Sequence, residues 1–254
     1  MINETIQLHP ILSDIKLIAI GQSQLTYNDF NSLSRPAIII CPGGGYLTIH
    51  EDEAEYVALK FAALGYMVFI LNYSTGAPYA YFPAPINDLS LAIDYVYENA
   101  AHYAINQNAI SVLGLSTGGH LVSLVKSKYK LKSKALIYPI LNLYSLTLIR
   151  TAEEKNTFEL MFSAIVGNAH PTFEQLCPWA SDVFISPETP STFLCSYSDD
   201  IYCPEESVAH YLEQLNKKRI PFKDLKVFSK KHGNPTIDPS NDWIITYHNW
   251  LNAL

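Results

Sequence analysis

Ser116, Asp200 and His232 are the side chains of this sequence whose types could together carry a nucleophilic acyl transfer. A serine hydroxyl is a weak nucleophile until an imidazole takes its proton, and a carboxylate in turn orients that imidazole and stabilises its cation. Ser116 lies in Gly114-Leu115-Ser116-Thr117-Gly118, between the apolar run Ile110-Ser111-Val112-Leu113 and the helix-like Leu121-Val122-Ser123-Leu124-Val125. Strand, sharp turn and helix in that order make a G-x-S-x-G segment a nucleophile elbow, whose glycines leave room for a turn that pushes the hydroxyl outward. The bare pattern arises by chance in about one chain in twelve of this length, so the surrounding residues have to carry the reading.

They supply the partners. His232 follows Leu225-Lys226-Val227-Phe228 and is the expected general base, which requires a neutral ring near pH 7. Lys230 and Lys231 beside it oppose a second positive charge. Asp200 follows Thr192-Phe193-Leu194-Cys195-Ser196 and is the preferred acid; Asp199 competes with it, since spacing alone does not rank adjacent carboxylates, and one of the two reads as a turn or N-cap residue. Pro42-Gly43-Gly44-Gly45-Tyr46 follows the apolar Ala37-Ile38-Ile39-Ile40-Cys41. Its unencumbered N–H groups can point at one spot, and Gly44 and Gly45, with Thr117 at the start of the elbow helix, are assigned to a developing oxyanion. The loop has neither the G-K-[ST] nor the G-x-G-x-x-G of a phosphate cradle.

The remaining histidines have plainer readings. His120, four residues after Ser116, is expected to pack or hydrogen-bond beneath it, whereas His50, His102, His170, His210 and His248 read as solvated surface residues and His9 lies near an unpatterned N-terminus. No two histidines have H-x-H or H-x-x-x-H spacing, and His50-Glu51-Asp52-Glu53 reads as an acidic helix start. Neither a metal nor a cofactor is expected.

The elements that must position these groups alternate along the chain. Ala37–Cys41 reads as a buried strand, 51–64 as a helix ending at Gly65, and 66–71 as the next strand. A helix over 89–101, the strand before Ser116, the elbow helix and a strand over 135–138 follow. After a long irregular stretch come a strand over 192–196, a helix over 205–217, a strand over 225–228 and a closing helix over 242–251. Such alternation implies an α/β protein with a largely parallel sheet covered by helices on both faces. Reactive sites in these sheets form at the carboxyl ends of the strands, which is where Ser116, Asp200, His232 and the glycine loop fall. The stretch 142–190 is long for a connection, carries a helical pattern over 152–166, and reads as a lid or pocket wall, with Tyr144, Phe158, Phe162, Phe173 and Trp179 either lining a pocket or packing the insertion onto the core.

Composition narrows the function classes. The 254 residues, 48% hydrophobic and 16% charged, suit one α/β domain, and a net charge of -7 without a basic run argues against nucleic acid or an anionic membrane as partner. Gly65 interrupts the apolar stretch 61–71, and Pro139 and Asn142 interrupt 135–149, so no membrane span is expected. The N-terminus lacks a secretory pattern, and Cys41, Cys177, Cys195 and Cys203 form no C-x-x-C pair. Buried thiols in the cytoplasm are therefore expected.

In chain order, a glycine loop after an early strand, then Ser116, Asp200 and His232, follow α/β-hydrolases and not chymotrypsin or subtilisin. Cys41-Pro42-Gly43-Gly44-Gly45-Tyr46, Asp88 with Ala92, Gly114-Leu115-Ser116-Thr117-Gly118-Gly119-His120-Leu121, Asp200-Ile201-Tyr202-Cys203-Pro204 and His232-Gly233 resemble the acetyl esterase and xylan esterase-like branch of that superfamily, related to hormone-sensitive-lipase-like esterases. The resemblance runs from about Ala37 to the C-terminus. It implies an α/β-hydrolase fold in one domain, 1–254, and a cofactor-free serine carboxylesterase acting on short acyl esters such as acetates, acetylated sugars among them. Thr117 stands where many relatives have Ala and Pro42 where lipase-like relatives have His; both leave the backbone donors in place. Asn234-Pro235 replaces a common aromatic and reshapes the pocket wall. A small-molecule ester is the expected partner, and the assembly state is open, a homodimer included. An amidase or peptidase would use the same triad, and a silent binding protein would share the fold; activity on amides separates the first, and complete triad candidates argue against the second.

Overall fold

The computed structural model of the chain describes residues 1–23, 34–148, 151–228, 232–234 and 242–254, with the backbone alone at 152 and 153. The strands are β1 (Ile2–Gln7), β2 (Lys16–Gly21), β3 (Arg35–Cys41), β4 (Met67–Asn72), β5 (Ile105–Leu115), β6 (Ser133–Ile137), β7 (Ser191–Tyr197) and β8 (Phe222–Val227). The helices are α1 (Glu51–Ala63), α2 (Ala84–Glu98), α3 (Thr117–Ser123), α4 (Leu143–Leu146), α5 (Ala152–Val166), α6 (Phe173–Leu176), α7 (Glu205–Lys217) and α8 (Trp243–Ala253). One eight-stranded sheet has the order β1-β2-β4-β3-β5-β6-β7-β8, antiparallel at β1/β2 and β2/β4 and parallel from β4 to β8.

Handedness explains which helix covers which face. The crossover from β3 through α1 to β4 steps one way across the sheet, and the crossover from β4 through α2 to β5 steps back past β3. Right-handed crossovers in opposite directions must lie on opposite faces. Accordingly Ala54, Val57, Ala58 and Phe61 of α1 join Trp243, Ile244 and Tyr247 of α8 against Ile38, Ile40, Val68 and Ile70. Leu89, Ala92, Ile93 and Val96 of α2 pack with Leu121 and Val122 of α3 and with Tyr211 and Leu215 of α7 against Ala37, Ile39, Met67 and Phe69. Both strand faces are thus apolar in β3 and β4, as burial on both sides requires. The reversal opens a crevice where β3 and β5 end at Cys41 and Leu115.

The second helix and the N-terminal segment differ from the sequence expectation. The helix expected from Leu89 begins at Ala84, because Pro85 falls in its first turn, where a missing N–H breaks no intrahelical bond. The unpatterned N-terminus forms β1 and β2: β1 exposes most of its side chains, half-burying only Ile2 and Ile6, which leaves little hydrophobic signal. Among the described residues no helix is long and apolar enough to cross a membrane.

Lys134 of β6 is 1% exposed and donates from Nζ to the Ser123 carbonyl at 3.1 Å, placing its amine at the carboxyl end of α3. Burial pushes its amine from an ordinary 10.5 down to about 7. The unfolded chain therefore holds a proton that the folded chain lacks between these values, so this group adds stability as pH rises through that window and removes it as pH falls. Thermal melts of Lys134→Met and the parent at pH 7, 8 and 9 check this: the rise in Tm with pH is expected to be shallower in the variant.

Candidate active site

The turn after β5 is held open by glycine. Ser116 has φ 54° and ψ -118°, a region costly for a residue with a Cβ. Three hydrogen bonds over-determine it: Ser116 N–H donates to Ile137 O at 3.1 Å, and Ser116 O accepts from His120 N–H and Ile140 N–H. A Cβ on Gly114 would stand 2.1 Å from Gly118 O, and one on Gly118 would stand 2.0 Å from Cys41 O, so no larger residue fits at either position. Gly118 thereby lets α3 sit directly against the end of β3 and the glycine loop.

Ser116, His232 and Asp200 converge from the ends of β5, β8 and β7. Ser116 Oγ lies 2.6 Å from His232 Nε2, and His232 Nδ1 lies 2.8 Å from Asp200 Oδ2. A carboxylate only accepts, so Nδ1 carries the proton and Nε2 is left to accept from the serine hydroxyl. Asp200 is 5% exposed, and its other oxygen accepts from Tyr202 N–H at 2.9 Å and Cys203 N–H at 3.2 Å. Asp199 is exposed and is bonded by the Ser198 hydroxyl at 3.1 Å. The fold thus brings Asp200, and not its neighbour, to the imidazole. Lys230, Lys231 and Pro235 lie outside the described residues.

The glycine loop faces the same point. Gly44 (φ 134°) and Gly45 (φ 67°) take left-handed backbone, and a Cβ on Gly44 would meet Thr48 O at 2.1 Å. Gly45 N–H, however, donates to Thr117 Oγ1 at 3.0 Å. In this geometry the hydroxyl of Thr117 engages one of the three donors assigned from the sequence. Thr117 is the first residue of α3, so its N–H has no intrahelical acceptor. Asp88 also steadies this edge, accepting from Ser74 N–H at 2.8 Å just after β4.

His120 is fully buried beneath the nucleophile. Its Nε2 lies 2.7 Å from the Trp179 carbonyl and Nδ1 2.8 Å from the Tyr46 hydroxyl. A carbonyl accepts, so Nε2–H donates and Tyr46 donates to Nδ1. Burial holds this imidazole down at about 4, neutral at physiological pH, so it ties the segment 142–190 to α3 without adding charge.

Three residues of the site escaped sequence reading. Tyr138, at φ 36° just after β6, sets its ring edge-on to His232 at 5.3 Å, and Tyr202 does so at 4.9 Å. Both follow strand ends, which was the available signal. Glu53 is the third: it hydrogen-bonds the Tyr138 hydroxyl and lies on the stripe of Val57 and Phe61, four and eight residues on, which marked it as inward-facing. A wide groove of about 910 Å³ around Lys126, Lys130, Phe184 and Arg219 lies at the opposite, amino edge of the strands, away from these groups.

The BD-FAE family model matches residues 25–215. The chain belongs to the BD-FAE family. An endo-1,4-beta-xylanase B of Butyrivibrio fibrisolvens is 26% identical to this BD-FAE chain over 205 residues, 77% of the chain and 32% of that protein. An acetylxylan esterase of Xylanibacter ruminicola is 30% identical over 128 residues, 48% of the chain and 26% of that protein. The BD-FAE chain therefore matches about a third or less of the length of these curated relatives. Among solved structures, an acetyl ester-xyloside bifunctional hydrolase from Caldicellulosiruptor lactoaceticus superposes with a TM-score of 0.81 at 27% identity, covering 98% of this chain and 96% of that one. With its sheet order and crossovers, the BD-FAE chain has the α/β-hydrolase fold.

Proposed function

We propose that the chain is a serine carboxylesterase of short acyl esters, acetates above all, with acetylated carbohydrate as its substrate class, working through an acyl-enzyme without a cofactor. The observation that carries the proposal is the hydrogen-bonded line from Ser116 Oγ through His232 to Asp200 beside a helix start. Ser116 Oγ attacks the ester carbonyl as its proton passes to His232 Nε2, and Asp200 holds the imidazolium. The oxyanion gathers the N–H groups of Gly44 and Thr117. The imidazolium protonates the departing alcohol, and a water activated by the same ring then releases the acid. The acetyl and carbohydrate parts of the reading draw on the acetylxylan esterase and the acetyl ester-xyloside hydrolase among the similar proteins.

A fluorophosphonate probe is expected to label the protein at the Ser116 peptide. Turnover is expected to decline from p-nitrophenyl acetate to octanoate, and acetylated xylo-oligosaccharide is expected to release acetate. Absence of label at Ser116 would defeat the triad, and faster hydrolysis of long acyl chains would defeat the acyl class.

In the same proposal residues 1–254 form one domain with 142–190 as its pocket wall. Phe158 of α5 packs edge-on to Tyr202 at 5.6 Å, and the Tyr202 hydroxyl donates to Glu154 Oε1 at 2.8 Å, so α5 fixes the ring that faces His232. Tyr202→Ala is expected to raise the butyrate-to-acetate ratio of kcat/KM by roughly tenfold, since one or two methylenes in an apolar pocket are worth that much. An unchanged ratio would mean that Tyr202 only packs the segment.

A further inference from the structure

Glu53 is a carboxyl buried where a helix of this protein had no need of one. Glu51 and Asp52 already put exposed negative charge at the start of α1, whereas Glu53 is 9% exposed and no lysine or arginine among the described residues pairs with it. Its Oε1 accepts from the Tyr138 hydroxyl. Its Oε2 lies 3.0 Å from where a Cβ on Gly43 would stand, and that same point is 3.1 Å from Ser116 Cβ. Tyr138 is held at a strained φ of 36° by its N–H bond to Cys195 O at 2.7 Å, which aims the ring between Glu53 and the imidazole. One carboxyl thus touches the loop after β3 and the residue after β6.

We propose that Glu53 is a positioning residue of this site: its carboxylate keeps the glycine loop and Tyr138 in register with Ser116 and supplies a second negative charge to the His232 imidazolium. The inference rests on the esterase reading. The groups that face Glu53 are His50 at its own helix start, His232 after β8, the Gly43 amide, and the phenols of Tyr138, Tyr73 and Tyr197. Burial raises the pKa of the acid, and the Tyr138 hydrogen bond, His50, His232 and the Gly43 amide oppose that rise. Among the described residues that face Glu53, the two histidines are the groups able to gain positive charge.

Glu53→Gln keeps the shape and an oxygen for the Tyr138 hydroxyl while removing the charge. An anion beside an imidazole favours its cation, so its removal is expected to lower the His232 titration midpoint, followed by NMR, by roughly half a pH unit or more. The acidic limb of kcat/KM moves down with it. The kcat for p-nitrophenyl acetate is expected to fall by about 10- to 100-fold with KM nearly constant, as for a misplaced reacting group. Glu53→Asp, which keeps the charge, is expected to retain the midpoint. A midpoint in Glu53→Gln equal to that of the parent overturns the proposal. Should that variant not fold, Tyr138→Phe decides through kcat, a loss of about tenfold supporting the proposal and a parental value ending it. The NMR titration needs no turnover, so an unshifted midpoint defeats the role of Glu53 alone, whereas absence of fluorophosphonate label at Ser116 in the parent defeats the esterase reading alone.

Discussion

Ser116→Ala is expected to lower kcat/KM for p-nitrophenyl acetate by on the order of 10⁴ to 10⁶ and to abolish fluorophosphonate labelling. Alanine keeps the Cβ already accommodated at φ 54°, and the backbone bonds from Ser116 to Ile137, His120 and Ile140 do not involve the hydroxyl. His232 loses the Ser116 hydroxyl at Nε2 but keeps its Nδ1 bond to Asp200 at 2.8 Å. Circular dichroism and Tm should therefore match the parent, which isolates the chemical loss from a folding loss. The residual rate would come from backbone donors that still meet an oxyanion. Label retained on the alanine variant, or hydrolysis at the parental rate, would mean that the nucleophile is another residue.

The site was legible in the sequence to the extent that it is local. The elbow is written by Gly114, Gly118 and the strand before them: Gly114 answers a contact of 2.1 Å to Gly118 O within the strand-turn-helix itself, and Gly118 one of 2.0 Å to Cys41 O at the end of the neighbouring strand. Helices α5 and α7 begin and end where their patterns do, since amphipathic periods of 13 to 15 residues leave little freedom. Contacts between distant segments were not legible. That Thr117 Oγ1 captures Gly45 N–H joins residues 72 apart, and no spacing rule connects them. Glu53 was read with Glu51 and Asp52 as an acidic helix start, a property all three share, although only Glu53 lies in line with Val57 and Phe61. The strand β1 was missed because an edge strand with one weakly buried face has too little apolar periodicity to be seen, and β2, though mostly buried, is a six-residue run whose place in the sheet is fixed by its pairing to the distant β4.

The sheet reversal accounts for why so few residues suffice. Because β3 and β5 are neighbours with their crossover helices on opposite faces, the glycine loop and the elbow meet at one edge without any intervening helix. The next strands, β6, β7 and β8, then deliver Tyr138, Asp200 and His232 to that edge in register. Tyr138 directly follows β6 and Asp200 stands three residues after β7, so the geometry of these groups is carried by the sheet.

Asp200→Asn is expected to lower kcat by about 10⁴, and Asp199→Asn by no more than about twofold. The asparagine oxygen can still accept from the Tyr202 and Cys203 amides that hold the Asp200 side chain at 2.9 and 3.2 Å, which leaves its amide nitrogen toward His232 Nδ1. A donor facing a donor favours the other tautomer, with the proton on Nε2, and that ring cannot take the proton of Ser116. Raising the pH does not restore a tautomer, so the deficit should persist across the neutral and alkaline range. Asp199 is exposed and touches neither His232 nor an amide of the turn, so its charge is screened by solvent. Parallel kcat/KM measurements on the two variants, with the fluorophosphonate labelling rate as a second readout, decide between adjacent carboxylates that spacing alone could not rank. A silent Asp199→Asn beside an active Asp200→Asn would reverse the assignment.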